Sequence, residues 1–173
     1  MSEVICYSVV TMNNTIASLV DYFASRKCGY ELNADKDVLQ GSIDAGNACW
    51  RFMALRDDAG RFVMVSFIPL KAPEARRSAC AELFARVNAN LGLGHFDLDF
   101  NDGELAYRTV VPLTKKGRLK GGIIEHVLHG HQVIVDRFIP IISSVIFAGL
   151  CPENALTAEE PPSIAPQTRF SLN

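Results

Sequence analysis

The chain has 173 residues, 49% apolar and 21% charged, with a formal net charge of −2 and a pI of about 6.1. A chain of this size forms one domain that buries roughly 70% of the surface its unfolded form exposes, so it needs no disulfide or metal staple. The near-neutral balance excludes an extended basic groove for nucleic acid, and no polybasic run addresses a lipid surface.

Five cysteines, Cys6, Cys28, Cys49, Cys80 and Cys151, are odd in number, scattered and without a CxxC pair. That pattern predicts buried thiols in a reducing compartment rather than a disulfide framework or zinc knuckle. Met1–Val10 holds Glu3 and no basic residue, unlike the charged start of a signal peptide. The uncharged run Phe138–Pro152 contains Pro140 and is too short to span a bilayer. A soluble, cytoplasmic protein is expected.

Val4–Val10 reads equally as a strand or as ordered coil. Ile16, Leu19, Val20 and Phe23 recur at i, i+3, i+4, i+7, which predicts a helix over about 14–27 that stops near Gly29. Strands follow over Val38–Asp44 and Ala48–Arg56, joined by the turn Asp44-Ala45-Gly46-Asn47. A loop at Asp58-Ala59-Gly60 sets Asp57 opposite Arg61 and starts a third strand, Arg61–Leu70. One face of this hairpin then shows Met53, Leu55, Val63, Val65 and Phe67; the other shows Trp50, Phe52, Phe62, Met64 and Ile68. A solvated antiparallel sheet alternates, so a sheet apolar on both faces calls for cover on both.

Pro73 and Glu74 open a second helix. Its inner face is Ala79, Cys80, Leu83, Phe84, Val87 and Leu91, with Gly92 or Gly94 closing it. A hairpin comes next, then an apolar helical region from about Leu119 to Ala148 that Gly130 and Pro140 are expected to break or kink. Ile123, Val127, Ile134, Phe138, Ile142 and Val145 make its buried side. Four of the eight prolines fall in the last 22 residues. The expectation is one domain over 1–151 and a disordered tail over 152–173, beyond one last turn. The order α-β-β-β-α-β-β-α defines an α+β fold, an antiparallel sheet with helices packed on it.

Four stretches invite chemistry. "DLDFNDGELAYR" (Asp97–Arg108) has oxygen side chains at calcium-loop spacing. Its glycine, however, comes one place late, and Arg108 stands where the bidentate glutamate belongs. Phe96, Leu98 and Phe100 alternate with His95, Asp97 and Asp99, which is strand periodicity. A two-residue turn at Asp102-Gly103 would set Asn101 against Glu104, Phe100 against Leu105, Leu98 against Tyr107 and Asp97 against Arg108. "EHVLHGHQ" (Glu125–Gln132) packs His126, His129 and His131 into six residues, either as polar groups at a helix junction, capping carbonyls or facing water, or as metal ligands. The cysteines have no nucleophile signature around them. "KKGRLKGG" (Lys115–Gly122) sets Lys115, Lys116, Arg118 and Lys120 before a helix, an anion site if not a solvated loop.

From Arg61 to Ala155 the chain resembles the YbjN-domain family of bacterial sensory transduction regulators. The resemblance rests on "RFVMVSFIPLKAPEARRSACAELFARVN", "LGLGHFDLDFNDGELAYRTVVPL" and a long helix ending "GLCPENAL". It implies a fold similar to type III secretion chaperones, homodimers that bind extended segments of partner proteins, with no catalytic residues and no cofactor. Asn88, Asp97, Gly103 and Arg108 match its motifs as architectural positions. The expected function is a non-enzymatic, homodimeric protein-binding module that touches neither nucleic acid nor membrane. A small-ligand or anion sensor using the Lys115–Lys120 loop is the alternative.

Overall fold

The computed structural model describes residues 13–26, 29–33, 35–113 and 117–158. Cys6, Cys28, Lys115, Lys116, the Val4–Val10 stretch and residues 159–173 lie outside them. The elements are α1 (Asn14–Arg26), β1 (Glu31–Asn33), β2 (Val38–Asp44), β3 (Cys49–Arg56), β4 (Phe62–Lys71), α2 (Glu74–Asn88), β5 (His95–Leu98), β6 (Glu104–Val111), α3 (Gly121–Ile146) and α4 (Pro152–Ala158). The expected order is present, with the short β1 and α4 in addition. One six-stranded sheet runs β1-β2-β3-β4-β6-β5, antiparallel throughout.

Local chemistry sets the boundaries. Asn13 caps α1: its Oδ1 accepts from the N–H groups of Thr15 and Ile16, both at 3.0 Å. Asp57 closes the β3–β4 turn, accepting from the Arg61 N–H at 2.7 Å while pairing with its guanidinium, and Gly60 takes φ +76°. That pairing puts Asp57 opposite Arg61, as the sequence predicts. Helix α2 ends at Asn88, ahead of Gly92 and Gly94. The chain needs the intervening residues to reach β5, and the side chain of Asn88 makes the stop. It accepts from the Phe96 N–H at 2.8 Å and donates to the Phe96 carbonyl at 3.0 Å, occupying both outward backbone groups of Phe96 in the edge strand β5.

The hairpin β5–β6 corrects the expected register by two residues. Leu98 faces Leu105 and Asp97 faces Ala106, and the Gly103 N–H donates to the Asp99 carbonyl at 2.8 Å. The connection is therefore a four-residue loop, Phe100 to Gly103. Asx contacts stabilise it: Asp99 Oδ1 accepts from the Asn101 N–H, and Asp102 Oδ1 from the Glu104 N–H. A slip of two preserves which face each side chain occupies. Arg108 therefore still reaches Asp97, diagonally, at 2.7 Å.

Helix α3 runs as one element from Gly121 to Ile146 with Pro140 inside it, so the expectation of a break there is corrected. Gly130 packs under the tip of Leu93, whose Cδ2 would have to shift to admit a Cβ. Pro140 cannot bond the Asp136 carbonyl four residues back. That oxygen accepts from Asn47 Nδ2 at 3.0 Å, and Asp136 Oδ1 accepts from the Asn47 N–H at 2.6 Å. The carbonyl that the proline frees thus becomes the dock for the β2–β3 turn. At the other end, Arg76 of α2 donates to the Val145 carbonyl through Nε and Nη2 and to the Leu150 carbonyl through Nη2, satisfying helix-terminal acceptors. Helix α4 buries Pro152 and Ala155, so the packed chain continues past residue 151.

The helices share one face of the sheet. Trp50, Ile68, Phe96, Leu105 and Tyr107 pack with α2, α3 and α4. Leu39, Phe52, Ala54, Phe62 and Met64 pack with Ile16, Leu19 and Phe23 of α1 and with Ile124 and Val127 of α3. Ile123, expected on the buried side of α3, is 39% exposed, because it lies toward the solvent flank of the stripe led by Val127, Phe138 and Ile142.

Candidate functional site

Among the described residues, the opposite sheet face is built from strands. Val63, Val65 and Ala106 form its buried centre, with Met53, Leu55, Phe67 and Val110 half-buried around them. No described helix contributes to this cluster. The register arranges the face in rows. Val38 faces Leu55, Leu55 faces Val63, and Val63 faces Val110. The next row runs Gln40, Met53, Val65, Arg108, His95. In the row after that, Ser42 faces Arg51 on one side, and Phe67, Ala106 and Asp97 follow on the other. An apolar strip along β3, β4 and β6 is thus flanked by Gln40, Ser42 and Arg51 on one side and by His95, Asp97 and Arg108 on the other. Arg51 sets its guanidinium 6.0 Å from the Phe67 ring, a cation–π geometry. Asp97 joins Arg108 at 2.7 Å and His95 at 3.3 Å. The alternation of both strands of the β3–β4 hairpin therefore stands, but the described helices cover only one of its two apolar faces.

The three clustered histidines separate. His126 and His129 are exposed on α3, whereas His131 is fully buried, correcting the expectation of a polar group capping carbonyls or facing water. Its Nδ1 lies 2.7 Å from Ser66 Oγ and its Nε2 3.1 Å from Thr109 Oγ1. The Tyr107 ring meets it edge-on at 4.8 Å. Both hydroxyls come from the helix-facing side of the sheet, and burial pushes the imidazole pKa down to about 3. Sequence could not single out His131, because its partners lie 65 and 22 residues away. Among the described residues no group of three or more His, Cys, Asp or Glu side chains is placed to hold a metal ion.

The cysteines divide in the same way. Cys80 is buried, and burial raises its thiol pKa. Cys49 and Cys151 are exposed, against the expectation of buried thiols, because each sits where an element begins. Of the basic loop, Arg118 pairs at 3.7 Å with Asp21, and Lys120 caps the start of α3 without a side-chain hydrogen bond. The Gly117 carbonyl accepts from Thr15 Oγ1 at 2.7 Å, tying that loop to α1. Of the hairpin residues, Gly103 adopts φ +81° with its Cα against the Ala72 carbonyl. Asp102 pairs with Lys71 at 3.0 Å.

The chain is thus an α+β domain whose described helices cover one sheet face and leave an apolar, charge-rimmed strip on the other. The YbjN family model, described as "Putative bacterial sensory transduction regulator", matches residues 17–142, and the chain belongs to that family. No curated sequence matches it. Among solved structures, a chain from the HopA1–SchA chaperone–effector complex is similar, with a TM-score of 0.52 and 14% identity over 71% of this chain and 91% of that one. The secretion-chaperone-like fold expected from the sequence is thereby found. No described helix is long and apolar enough to cross a membrane.

Proposed function

We propose that this YbjN-family chain is a non-enzymatic, cytoplasmic, protein-binding regulatory module that works as a homodimer and engages a further protein. The observation that carries the reading is the helix-free sheet face. An apolar strip rimmed by polar and charged side chains is the anatomy of a protein interface. Its charges suit a second copy: Arg51 flanks one side and Asp97 the other, so a two-fold axis along β4 brings each toward the other's partner. The 40 strand residues, about 4.8 Å apart between strands and about 3.3 Å apart along them, give a face of roughly 630 Å², somewhat below the roughly 800 Å² per partner of a standard interface. The buried state of His131 and Cys80 supports a non-enzymatic role, since neither side chain can meet a substrate. The chaperone–effector structure that shares the fold supports a further protein as partner.

Light scattering at micromolar concentration tests the dimer. A mass twice the 19.0 kDa of the chain is expected, and Leu55→Glu should return it to one chain with the melting temperature nearly kept. A parent protein that is monomeric throughout would remove the reading.

A further inference from the structure

The sheet face that no described helix covers also carries an opening, which shares Arg51 and Phe67 with the proposed dimer surface. Pairing of β3 with β4 stops at Phe52 and Ser66, yet β3 continues beside β2 to Cys49. On the far side, β4 loses its register with β6 between Phe67 and Lys71. Pro69 lies in this stretch and has no N–H to offer a neighbouring strand. The two halves of the sheet part here, leaving a cleft of about 330 Å³. Arg51 stands on the β3 wall and Glu104 on the β6 wall, with Phe67, Ile68 and Pro69 between them and Trp50 behind.

Arg51 and Glu104 are both exposed. Neither joins an ion pair among the described residues, and they do not pair with each other. Their strands flank β4 and so lie about 10 Å apart, and both side chains line the cleft, Glu104 opposite Lys71 and two residues along β6 from Ala106, the partner of Phe67. Trp50 is 2% exposed, and its Nε1 has no hydrogen-bond partner.

We infer that this cleft binds a small zwitterion, a free α-amino acid with an apolar side chain. The carboxylate meets the Arg51 guanidinium, whose paired N–H groups match its two oxygens. The ammonium meets Glu104, and the apolar side chain lies on Phe67 and Pro69. A ligand with only one of the two charges leaves one wall unanswered.

Trp50 is the one tryptophan in the chain and lines the cleft, so its emission reports the site, and light scattering alongside the titration separates a ligand response from a change in association. L-Leucine is titrated into the full chain, with isovalerate and isoamylamine as probes carrying the carboxylate or the ammonium alone. A saturable change in emission is expected with L-leucine, with half-saturation at about 1 mM or below and at least about tenfold weaker for each single-charge probe. Arg51→Gln and Glu104→Gln, both at exposed positions, should each abolish the response, and Glu104→Gln, which the dimer reading does not use, should also melt and scatter like the parent. No saturable response to L-leucine, an equal response to a single-charge probe, or a response that survives both substitutions would overturn the inference.

Discussion

His131 and Gly103 show how single residues hold this fold. In the unfolded chain the imidazole protonates near its ordinary value of 6.5, but in the folded protein it stays neutral down to about 3. Between those values the unfolded state binds the extra proton, so stability falls as pH falls, by at most about 1.4 kcal/mol per pH unit. The contribution is complete above pH 6.5. Melting temperature followed from pH 7 to pH 5 should decline in the parent, and the decline should flatten in His131→Gln. The Glu104 N–H and Lys71 hold the Asp102 carboxyl below its usual range, and hydrogen bonds from Arg61 do the same for Asp57. Their losses begin at lower pH and leave the upper window to His131. At Gly103 a Cβ would press on the Ala72 carbonyl in a backbone at φ +81°. Gly103→Ala should cost about 2 kcal/mol or more in denaturant unfolding.

At the scale of elements, side chains substitute for missing backbone partners. Asn88 acts as a strand neighbour for Phe96. Asn88→Ala should cost about 1–3 kcal/mol, because the groups it leaves are partly buried; Asn88→Asp, which keeps only the acceptor, should recover part of this in the same unfolding measurement. Asn47 uses the Asp136 carbonyl that Pro140 releases, so Asn47→Ala should loosen the β2–β3 turn, seen as faster amide exchange at residues 44–48 with the rest of the sheet unchanged. Element positions were legible from periodicity: Val38–Asp44 was read to the residue. Strand β1 was not, since Glu31-Leu32-Asn33 is exposed throughout and carries no alternation. The register of β5–β6 also escaped the sequence. Two alignments differing by two residues keep the same faces, and only the Asx contacts of Asp99 and Asp102 choose between them.

For the whole molecule, the decisive feature is an asymmetry between the two sheet faces. The alternating residues of β3 and β4 made both apolar in the sequence, and the described helices cover only one. The rest of the candidate site was illegible, because the cleft depends on where β3–β4 pairing stops and on which wall carries Arg51 or Glu104, 53 positions apart in the chain. By itself the sequence determined every longer element, the two faces of the β3–β4 hairpin and the family, since those follow from local periodicity and short motifs. Only the tertiary structure decided that His131 is core, that α3 continues through Gly130 and Pro140, and that one face is left uncovered by the described helices. Each of these depends on contacts between residues far apart in the chain, which no local pattern records.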